Sequence, residues 1–221
     1  MSEITPALWT VRLGLIGAGL AAWFWTQRLI GQRAWPAGGI GDGVHQLTAP
    51  LNQYLREHPR AADVLLVTTS AIIDALGLFI LARSIFGPSF RPFLGLLILY
   101  ALRQMCQGLC ALPPPDGMIW RRPGVPSLLV TYGTATDLFF SGHTAIAVFG
   151  SVELTRMGGT ILPALGVAVA VIEATTVLVL RAHYTMDVFA AIVAALWAVS
   201  VADALAPGVD RTLAGLVGAL H

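Results

Sequence analysis

The sequence contains no lysine, and charged residues of either sign are scarce. Only 11% of its 221 residues are charged, all 13 basic residues are arginines, and the formal net charge is +1. A nucleic-acid-binding surface needs a concentrated basic stripe, so this balance excludes nucleic acid as a partner. Hydrophobic residues make up 56% of the chain, and such a composition is typical of an integral membrane protein.

Cysteine is scarce as well. Cys106 and Cys110 are four residues apart in a hydrophobic run and share one helix face, where the geometry does not suit a disulfide. A metal site would need further cysteine or histidine ligands nearby, and the sequence places none there. We therefore assign both cysteines to packing and predict neither a metal nor a cofactor.

Six hydrophobic runs approach or reach the length needed to cross a membrane, which is about 20 apolar residues in a helix. They cover residues 8–30, 64–86, 93–112, 139–154, 161–180 and 188–205. The first run lacks the order of a cleaved signal peptide and is predicted to be retained. The sequence therefore predicts an all-α, polytopic membrane protein. Six transmembrane helices would form one bundle and a single domain over residues 1–221, with an interfacial active site.

Two polar segments, 31–60 and 113–136, separate these runs. In the first segment, apolar residues recur at helical spacing, which predicts a short amphipathic helix lying along the membrane interface. These residues are Leu47, Leu51, Tyr54 and Leu55. His45 and His58 of the same segment are expected to face solvent. Four tryptophans around the first run are expected to act as interfacial anchors. They are Trp9, Trp23, Trp25 and Trp35.

Ionisable residues lie within the hydrophobic runs, where an uncompensated charge is costly. Among them are Asp74, Arg103, Glu153, Glu173 and Asp203. Buried charges need partners, so Arg103 is predicted to pair with Asp74 or Glu153 and lock helices together. Glu173 is an alternative candidate for lining a polar cavity.

Two short motifs stand where hydrophobic runs begin. Ser141-Gly142-His143-Thr144 opens the fourth run, and His183-Tyr184-Thr185-Met186-Asp187 precedes the sixth. With six crossings, the third and fifth connections lie on the same side of the membrane. The two motifs are therefore expected to meet at one membrane face.

These motifs suggest phosphorus chemistry. His183 and Asp187 are four residues apart at a helix start, so their side chains share one face. A carboxylate that accepts the ring N–H would fix the tautomer and leave the other nitrogen as nucleophile. His143 would act as general acid and then as base. By itself, the His183–Asp187 pair is more typical of a structural cap, but a second histidine motif at the same face favours catalysis by His143, His183 and Asp187.

The Ser141-Gly142 pair suits an anion because glycine permits close approach, serine caps helices, and N–H groups at a helix start attract phosphate. Arginine forks bind phosphoryl oxygens in a bidentate fashion. The candidates are Arg121, Arg122 and Arg181. Arg181 is the strongest because it lies two residues before His183. Asp137, four residues before Ser141, either binds and tunes His143 or caps the helix.

The two motifs resemble those of a known family. The run 136–144, Thr-Asp-Leu-Phe-Phe-Ser-Gly-His-Thr, and the run 182–188, Ala-His-Tyr-Thr-Met-Asp-Val, are similar to the sphingomyelin synthase family, within the type-2 phosphatidic acid phosphatase superfamily. Upstream, Arg103 and the proline-rich run 112–117 resemble the third-helix arginine and the loop of that family. The likeness covers about residues 100–195.

That resemblance implies a metal-free phosphotransfer from a phospholipid donor to a lipid-alcohol acceptor. The residue matching His183 attacks phosphorus with support from Asp187, and His143 protonates the departing diacylglycerol. A ceramide-like lipid alcohol, or water, then takes the headgroup from the phosphohistidine. The motif and loop residues expected to bind substrate are Ser141, Gly142, Thr144, Tyr184, Arg103 and Asp137. In the family the site faces the exoplasmic side. The sequence leaves the oligomeric state open, including a homo-oligomer.

The headgroup and the acceptor stay open because the motifs depart from the family in two places. Ala135-Thr136 stands where the family often has Cys-Gly, and Arg181 replaces a histidine of some members. Three function classes remain: a lipid phosphotransferase, a lipid phosphate phosphatase or phospholipase C that uses water, and a non-catalytic carrier. The phosphatases usually carry Lys-x6-Arg-Pro, whereas Arg91-Pro92 here follows Arg83 by eight residues without any lysine. Transfer is therefore favoured over hydrolysis.

Overall fold

The computed structural model describes residues 6–32, 40–124, 127–130, 132 and 138–219. This part of the chain folds into eight α-helices and contains no strand, which confirms the all-α class for the described residues. The helices are α1 (Pro6–Ile30), α2 (Gly43–Leu47), α3 (Ala49–Glu57), α4 (Pro59–Phe86), α5 (Arg91–Leu109), α6 (Gly142–Thr155), α7 (Ile161–Val179) and α8 (Thr185–Gly218).

Four helices, α1, α4, α7 and α8, are long and apolar enough to cross a membrane. The chain is therefore an integral membrane protein, as its composition predicts. The third and fourth predicted spans correspond to α5 and α6, which fall short. With 14 residues, α6 is about 21 Å long, less than the ~30 Å hydrocarbon core. The longer α5 carries Arg91 and Arg103 and is less apolar. The prediction that α5 and α6 also cross, which would give six spans in all, stays a prediction.

The apolar run at 188–205 is only the middle of α8, which begins at Thr185 and continues through Pro207 to Gly218. One face of this helix is a stripe of buried small residues: Ala191, Ala194, Ala195, Ala198 and Ala202. Small side chains allow membrane helices to approach closely. Gly95 of α5 lies opposite, where an added Cβ would stand 2.5 Å from the Phe149 ring of α6. Helices α5, α6 and α8 therefore pack closely, and this packing holds α6 in the centre of the bundle.

Ion pairs join helices at the end of the bundle away from the two histidine motifs. Arg91, at the start of α5, lies 2.6 Å from Glu153 near the end of α6. Arg156, just after α6, binds both carboxylate oxygens of Asp203 at 2.8 and 2.6 Å. These contacts give Glu153 and Asp203 a structural role, because each carboxylate receives a guanidinium partner.

The other two acidic residues in the hydrophobic runs bind neutral donors. Asp74 of α4 accepts the N–H groups of Leu128 and Leu129, each at 2.8 Å. Glu173 of α7 is fully buried and accepts a hydrogen bond from the Thr69 hydroxyl of α4. It is not among the described residues that line the cavity at the histidine motifs, so the alternative that Glu173 lines that cavity is wrong.

The amphipathic segment forms two short helices rather than one. Asp42 caps α2, Thr48 ends it, and α3 begins at Ala49 with a proline in its first turn. Its apolar residues Leu47, Leu51 and Tyr54 are exposed and Leu55 is buried, an arrangement that suits a segment lying along the membrane surface.

Two of the tryptophans predicted as interfacial anchors are exposed, as expected: Trp9 and Trp25. Trp23 is not an anchor, since it is 7% exposed and packs inside the bundle. Helical spacing places it on the opposite face from Trp25, and that face contacts α5. Trp35 lies outside the described residues.

Candidate active site

A cavity lies where the starts of α6 and α8 meet the connection between α5 and α6. Both predicted histidines, His143 and His183, line it together with Gly142 and Ala182. Helices α1, α4, α5 and α6 contribute Trp23, Ile73, Tyr100, Arg103 and Ile146. The α5–α6 connection contributes Met118, Trp120, Leu129, Val130 and Leu138. The topology therefore brings the two histidine motifs to one place.

The cavity is closed in this structure. Its volume is about 40 Å³, whereas ligand sites usually measure about 300–1,000 Å³. Leu129 packs directly over Gly77 of α4, where an added Cβ would displace the Leu129 side chain, and Asp74 accepts hydrogen bonds from the Leu128 and Leu129 N–H groups. The α5–α6 connection is thus fastened to α4 across the cavity.

Ser141 caps the start of α6, as the sequence predicts. Its hydroxyl accepts the Thr144 N–H at 3.3 Å and the Thr144 hydroxyl at 3.0 Å. Its own N–H donates to the Asp187 carbonyl at 3.2 Å and so ties α6 to the first turn of α8. Ser141 and Thr144 are fully buried and are not among the described cavity-lining residues. In this structure they hold the helix start, and only Gly142 and His143 of the motif reach the cavity.

His143 is buried in the first turn of α6. Its ring and the Trp120 ring pack in a T-shaped arrangement, with 5.1 Å between centroids. Its Nε2 has no hydrogen-bond partner within the part of the chain that the structure describes. A buried polar nitrogen without a partner is costly, so this atom is available to exchange a proton with a group in the cavity.

His183 is also buried, and its ring is constrained on the Nδ1 side. Nδ1 lies 2.8 Å from the Leu138 carbonyl oxygen, and because a carbonyl only accepts, Nδ1 carries the proton. The lone pair of the neutral ring is therefore on Nε2. The carboxylate of Asp187 is 3.5 Å from Nδ1, which is close enough to stabilise positive charge on the ring.

The predicted pairing of His183 with Asp187 needs one correction. The ring N–H is held by Leu138, while Asp187 Oδ2 accepts the Tyr184 N–H at 2.8 Å. The reason is helix geometry: Asp187 is the third residue of α8 and reaches back to the residue that precedes the helix, as in a capping box. Asp187 therefore combines the structural cap and the charged neighbour that the sequence offered as alternatives.

Arg103 is the arginine that the structure brings to the cavity, among the described residues. Its Nε donates to the Phe140 carbonyl at 2.9 Å, and Nη1 donates to Gln27 at 3.3 Å and Gln107 at 3.4 Å. An added Cβ at Gly142 would stand 3.3 Å from Nε, so glycine lets the guanidinium lie against the start of α6. The predicted pairing of Arg103 with Asp74 or Glu153 is wrong, because those carboxylates bind Leu128, Leu129 and Arg91.

The three arginines predicted to bind phosphate do not line the cavity. Arg181 has a positive φ of 52°, and its guanidinium donates to the Asp116 carbonyl at 2.5 Å and the His45 carbonyl at 3.2 Å. Arg121 forms an exposed ion pair with Asp63 at 2.5 Å. Arg122 is exposed. Proximity along the chain is misleading for Arg181, since the turn before His183 points its side chain toward other backbone segments.

Two other residues are predicted to bind substrate: Tyr184, which does not line the cavity, and Asp137. Tyr184 is buried, and its hydroxyl donates to the Pro113 carbonyl at 3.0 Å, which anchors the proline-rich run to the start of α8. Asp137 lies outside the described residues.

A segment without any motif signal holds the loop of His183. His45 was expected to face solvent, but it is buried, and its Nε2 lies 2.9 Å from the His183 carbonyl oxygen. Asp42 accepts the Thr185 N–H at 2.6 Å and the Thr185 hydroxyl at 2.8 Å. Burial raises the pKa of Asp42, but hydrogen bonds from Thr185 and from the His45 N–H outweigh it, so this pKa lies below its ordinary value of 3.8. The other histidine of the segment, His58, is exposed.

An apolar groove of about 400 Å³ borders the site on the outside of the bundle. It is lined by Leu102 and Cys106 of α5, Phe139 and Phe140 of the loop, and Met186, Phe189, Val193 and Trp197 among the residues of α8. Cys106 thus has the packing role predicted for it, whereas Cys110 is exposed at the end of α5. Because Leu102 and Phe140 adjoin Arg103 and Ser141, the groove runs directly beside the polar cavity.

The fold and the cavity together define a class: an integral membrane protein of packed helices that buries two histidines and an arginine in one polar cavity. A family model described as AtPDCT1/2 matches residues 42–204, about three quarters of the chain, and the chain belongs to this family. No curated protein and no solved structure matches the chain.

This match corrects the family assignment. The resemblance of the histidine motifs to the sphingomyelin synthase family, within the type-2 phosphatidic acid phosphatase superfamily, is wrong as an assignment, because the matching family is named for phosphatidylcholine:diacylglycerol cholinephosphotransferase. The more general prediction of a membrane lipid phosphotransferase holds, since the matched family is one of membrane lipid phosphotransferases. The sphingolipid part of the prediction falls with the assignment.

Proposed function

We propose that the chain moves phosphocholine from phosphatidylcholine to diacylglycerol through a phosphohistidine on His183. The observation that carries this proposal is the cavity where His143, His183 and Arg103 meet. Membership of the AtPDCT1/2 family supports the substrate class. Diacylglycerol replaces the ceramide-like acceptor that the sequence resemblance implied.

In the first half-reaction, His183 Nε2 forms a bond to phosphorus while the bond from phosphorus to the diacylglycerol oxygen breaks. The Leu138 carbonyl keeps the proton on Nδ1, and the carboxylate of Asp187 stabilises the positive ring. His143 gives its proton to the departing oxygen, so free diacylglycerol leaves as the alcohol. Arg103 faces the negative charge that develops on the phosphoryl oxygens.

The second half-reaction runs the same steps backward with another lipid. The hydroxyl of an incoming diacylglycerol gives its proton to His143, and its oxygen bonds to phosphorus as the bond from phosphorus to Nε2 breaks. A new phosphatidylcholine forms, and both histidines return to their starting protonation states. Such an exchange conserves the number of phosphoester bonds.

We further propose that an acyl chain of the lipid lies in the apolar groove. The groove opens toward the membrane surface of α5 and α8, and it adjoins the cavity through Phe140 and Arg103. A glycerolipid could then keep its chain in an apolar environment while its headgroup reaches His183. The exoplasmic placement of the site depended on the sphingomyelin synthase resemblance, and we do not propose it for this chain.

The experiment uses purified protein in lipid with phosphatidylcholine labelled in its phosphate and an unlabelled diacylglycerol of different chain length. Wild-type protein should make labelled phosphatidylcholine with the new chains. His183→Gln should lose this activity by at least about 10³-fold, because no nucleophile remains. His143→Gln should lose transfer, because the leaving oxygen lacks its proton donor and the attacking oxygen its proton acceptor. Any label that this variant does take up should be acid-labile and located on His183.

The matched control is His58→Gln, which changes an exposed histidine outside the cavity and should retain wild-type activity. Release of free phosphocholine in place of transfer would support the hydrolase instead. Full activity of His183→Gln, or label on another residue, would contradict the proposed roles. If wild-type protein neither transfers nor releases phosphocholine, the carrier is the remaining class.

A further inference from the structure

Three aromatic residues line the cavity that holds the histidines. They come from three separate segments: Trp23 from α1, Tyr100 from α5 and Trp120 from the α5–α6 connection. The Trp23 and Tyr100 rings lie 4.6 Å apart at 33°, and the Trp120 ring packs on Tyr132 at 4.9 Å. Segments distant along the chain thus converge to place aromatic faces at one polar cavity.

Trp23 lies about two turns before the end of α1 and is unusual for a tryptophan of a membrane helix. It is 7% exposed, and its indole N–H has no hydrogen-bond partner among the described residues. Buried indole N–H groups usually find a partner, and an anchoring role at the interface would leave the ring exposed like that of Trp25, which is 65% exposed. Neither ordinary explanation accounts for Trp23. Its position at the cavity lets the indole N–H donate to a phosphate oxygen of a bound ligand, since a quaternary ammonium cannot accept it, while the indole ring lies beside the rest of that ligand.

The charged groups at the cavity indicate which kind of ligand could bind there. Arg103 and the start of α6 supply a positive environment suited to a phosphate. No aspartate or glutamate stands among the described residues that line the cavity. A primary ammonium needs hydrogen-bond acceptors, and a carboxylate is the usual one. A quaternary ammonium has no N–H to donate and is bound by aromatic faces through cation–π attraction.

We propose that Trp23, Tyr100 and Trp120 form the subsite for the quaternary ammonium of the transferred headgroup and so select choline over ethanolamine. This inference rests on the proposed function, because it names the headgroup that the same cavity receives. Arg103 binds the phosphate, and the three rings face the trimethylammonium at the other end. Met118 and Leu129 fill space at the same cavity and move aside when the headgroup enters.

The test compares donors that differ only in nitrogen methylation: phosphatidylcholine, N,N-dimethyl- and N-methylphosphatidylethanolamine, and phosphatidylethanolamine. For wild-type protein, kcat/KM should fall stepwise as methyl groups are removed. In Trp23→Leu and in Tyr100→Leu, the ratio of kcat/KM for phosphatidylcholine over phosphatidylethanolamine should fall by about tenfold. Trp23→Phe and Tyr100→Phe keep an aromatic face and should retain most of the preference. Trp25→Leu, an exposed tryptophan on the same helix, is the matched control.

A binding measurement separates this inference from the proposed function. Calorimetric titration with dihexanoylphosphatidylcholine and dihexanoylphosphatidylethanolamine should show choline preference in wild-type protein and its loss in Trp23→Leu. If wild-type protein shows that preference but transfers no headgroup, the proposed function fails and the subsite stands. If transfer occurs and both leucine variants keep the wild-type donor ratio, the subsite is overturned. An equal loss for all donors would likewise assign the rings to packing alone.

Discussion

At the scale of single residues, the position of His183 is set by groups that contact its backbone as well as its ring. The Leu138 carbonyl orients the ring, and His45 contacts the His183 carbonyl at 2.9 Å. Asp42 binds the backbone and hydroxyl of Thr185, two residues further along. The short helix α2 and its cap Asp42 therefore act as a brace for the loop of His183, and these residues are positioning residues, since none of them lines the described cavity.

The brace predicts a stability effect for Asp42→Asn. The carboxylate accepts hydrogen bonds on both oxygens, from Val44 and His45 in α2 and from Thr185 in α8. An amide would turn an N–H toward one set of donors and remove a negative charge from the start of α8. Loss of a cap of this kind costs about 1–2 kcal/mol, measured by denaturant unfolding in detergent at pH 7. Asp63→Asn, which breaks only an exposed pair with Arg121, should cost less than about 1 kcal/mol.

The same substitution tests how the contribution of Asp42 to the unfolding free energy depends on pH. The pKa of Asp42 in the folded protein lies below its ordinary value of 3.8, so ionisation favours the folded state at pH values above about 3.8. The contribution is lost as the pH falls through the lowered pKa. The difference in unfolding free energy between wild type and Asp42→Asn should therefore be constant near neutral pH and shrink only in strong acid. A difference that vanished already at pH 6 would contradict the hydrogen-bonded carboxylate.

Residue patterns in the sequence could identify the candidate site residues but not their surroundings in the fold. The two histidines, Asp187 and the Ser141 cap follow from local spacing at helix starts. His45 contacts a residue 138 positions away, and Trp23 meets Tyr100 from a different helix, so no local periodicity contains either contact. The prediction that Arg181 lies at the cavity is misled by its nearness to His183 along the chain, because this nearness does not fix the direction of the Arg181 side chain.

At the scale of helices, α5 and α8 each present two different faces to the site. Arg103 of α5 points into the polar cavity, while its neighbour Leu102 and Cys106 line the apolar groove. On α8, small alanines face the core and larger side chains line the groove. Phe139 and Phe140 line the groove, and the chain continues from them directly into Ser141 at the start of α6. This division allows one lipid to be held by its chain and its headgroup at once.

Filling the groove should therefore impair lipid substrates according to their chain length. Val193→Trp places a large ring in the groove from a position that is 51% exposed, so the helical core stays intact. We expect kcat/KM for long-chain diacylglycerol to fall by about tenfold, the loss of roughly two buried methylene groups, with a smaller effect on dihexanoylglycerol. Val171→Trp, at a similarly exposed position on α7, serves as the control. Equal effects of Val193→Trp on both chain lengths would contradict the binding of an acyl chain in the groove.

At the scale of the whole molecule, the arrangement of helices bears on how often the chain crosses the membrane. Hydropathy identifies α1, α4, α7 and α8, since each is long and apolar. It marks α5 and α6 less strongly than these four, because α5 carries polar residues that serve the site and the ion pairs and α6 has only 14 residues. Yet Arg91 at the start of α5 meets Glu153 at the end of α6, and both helices run between the histidine end and the ion-pair end. We propose that they cross together with their neighbours and make six spans.

Cysteine labelling distinguishes six crossings from four. With Cys106 and Cys110 replaced by alanine, single cysteines are placed at Arg122, in the α5–α6 connection, and at Met157, just after α6; both positions are exposed. If α5 and α6 cross, a membrane-impermeant maleimide applied to sealed vesicles should label one position from outside and the other only after permeabilisation. If α5 and α6 stay on one side, both positions label from the same side. The six-helix bundle, and with it the placement of both histidine motifs at one membrane face, depends on opposite labelling.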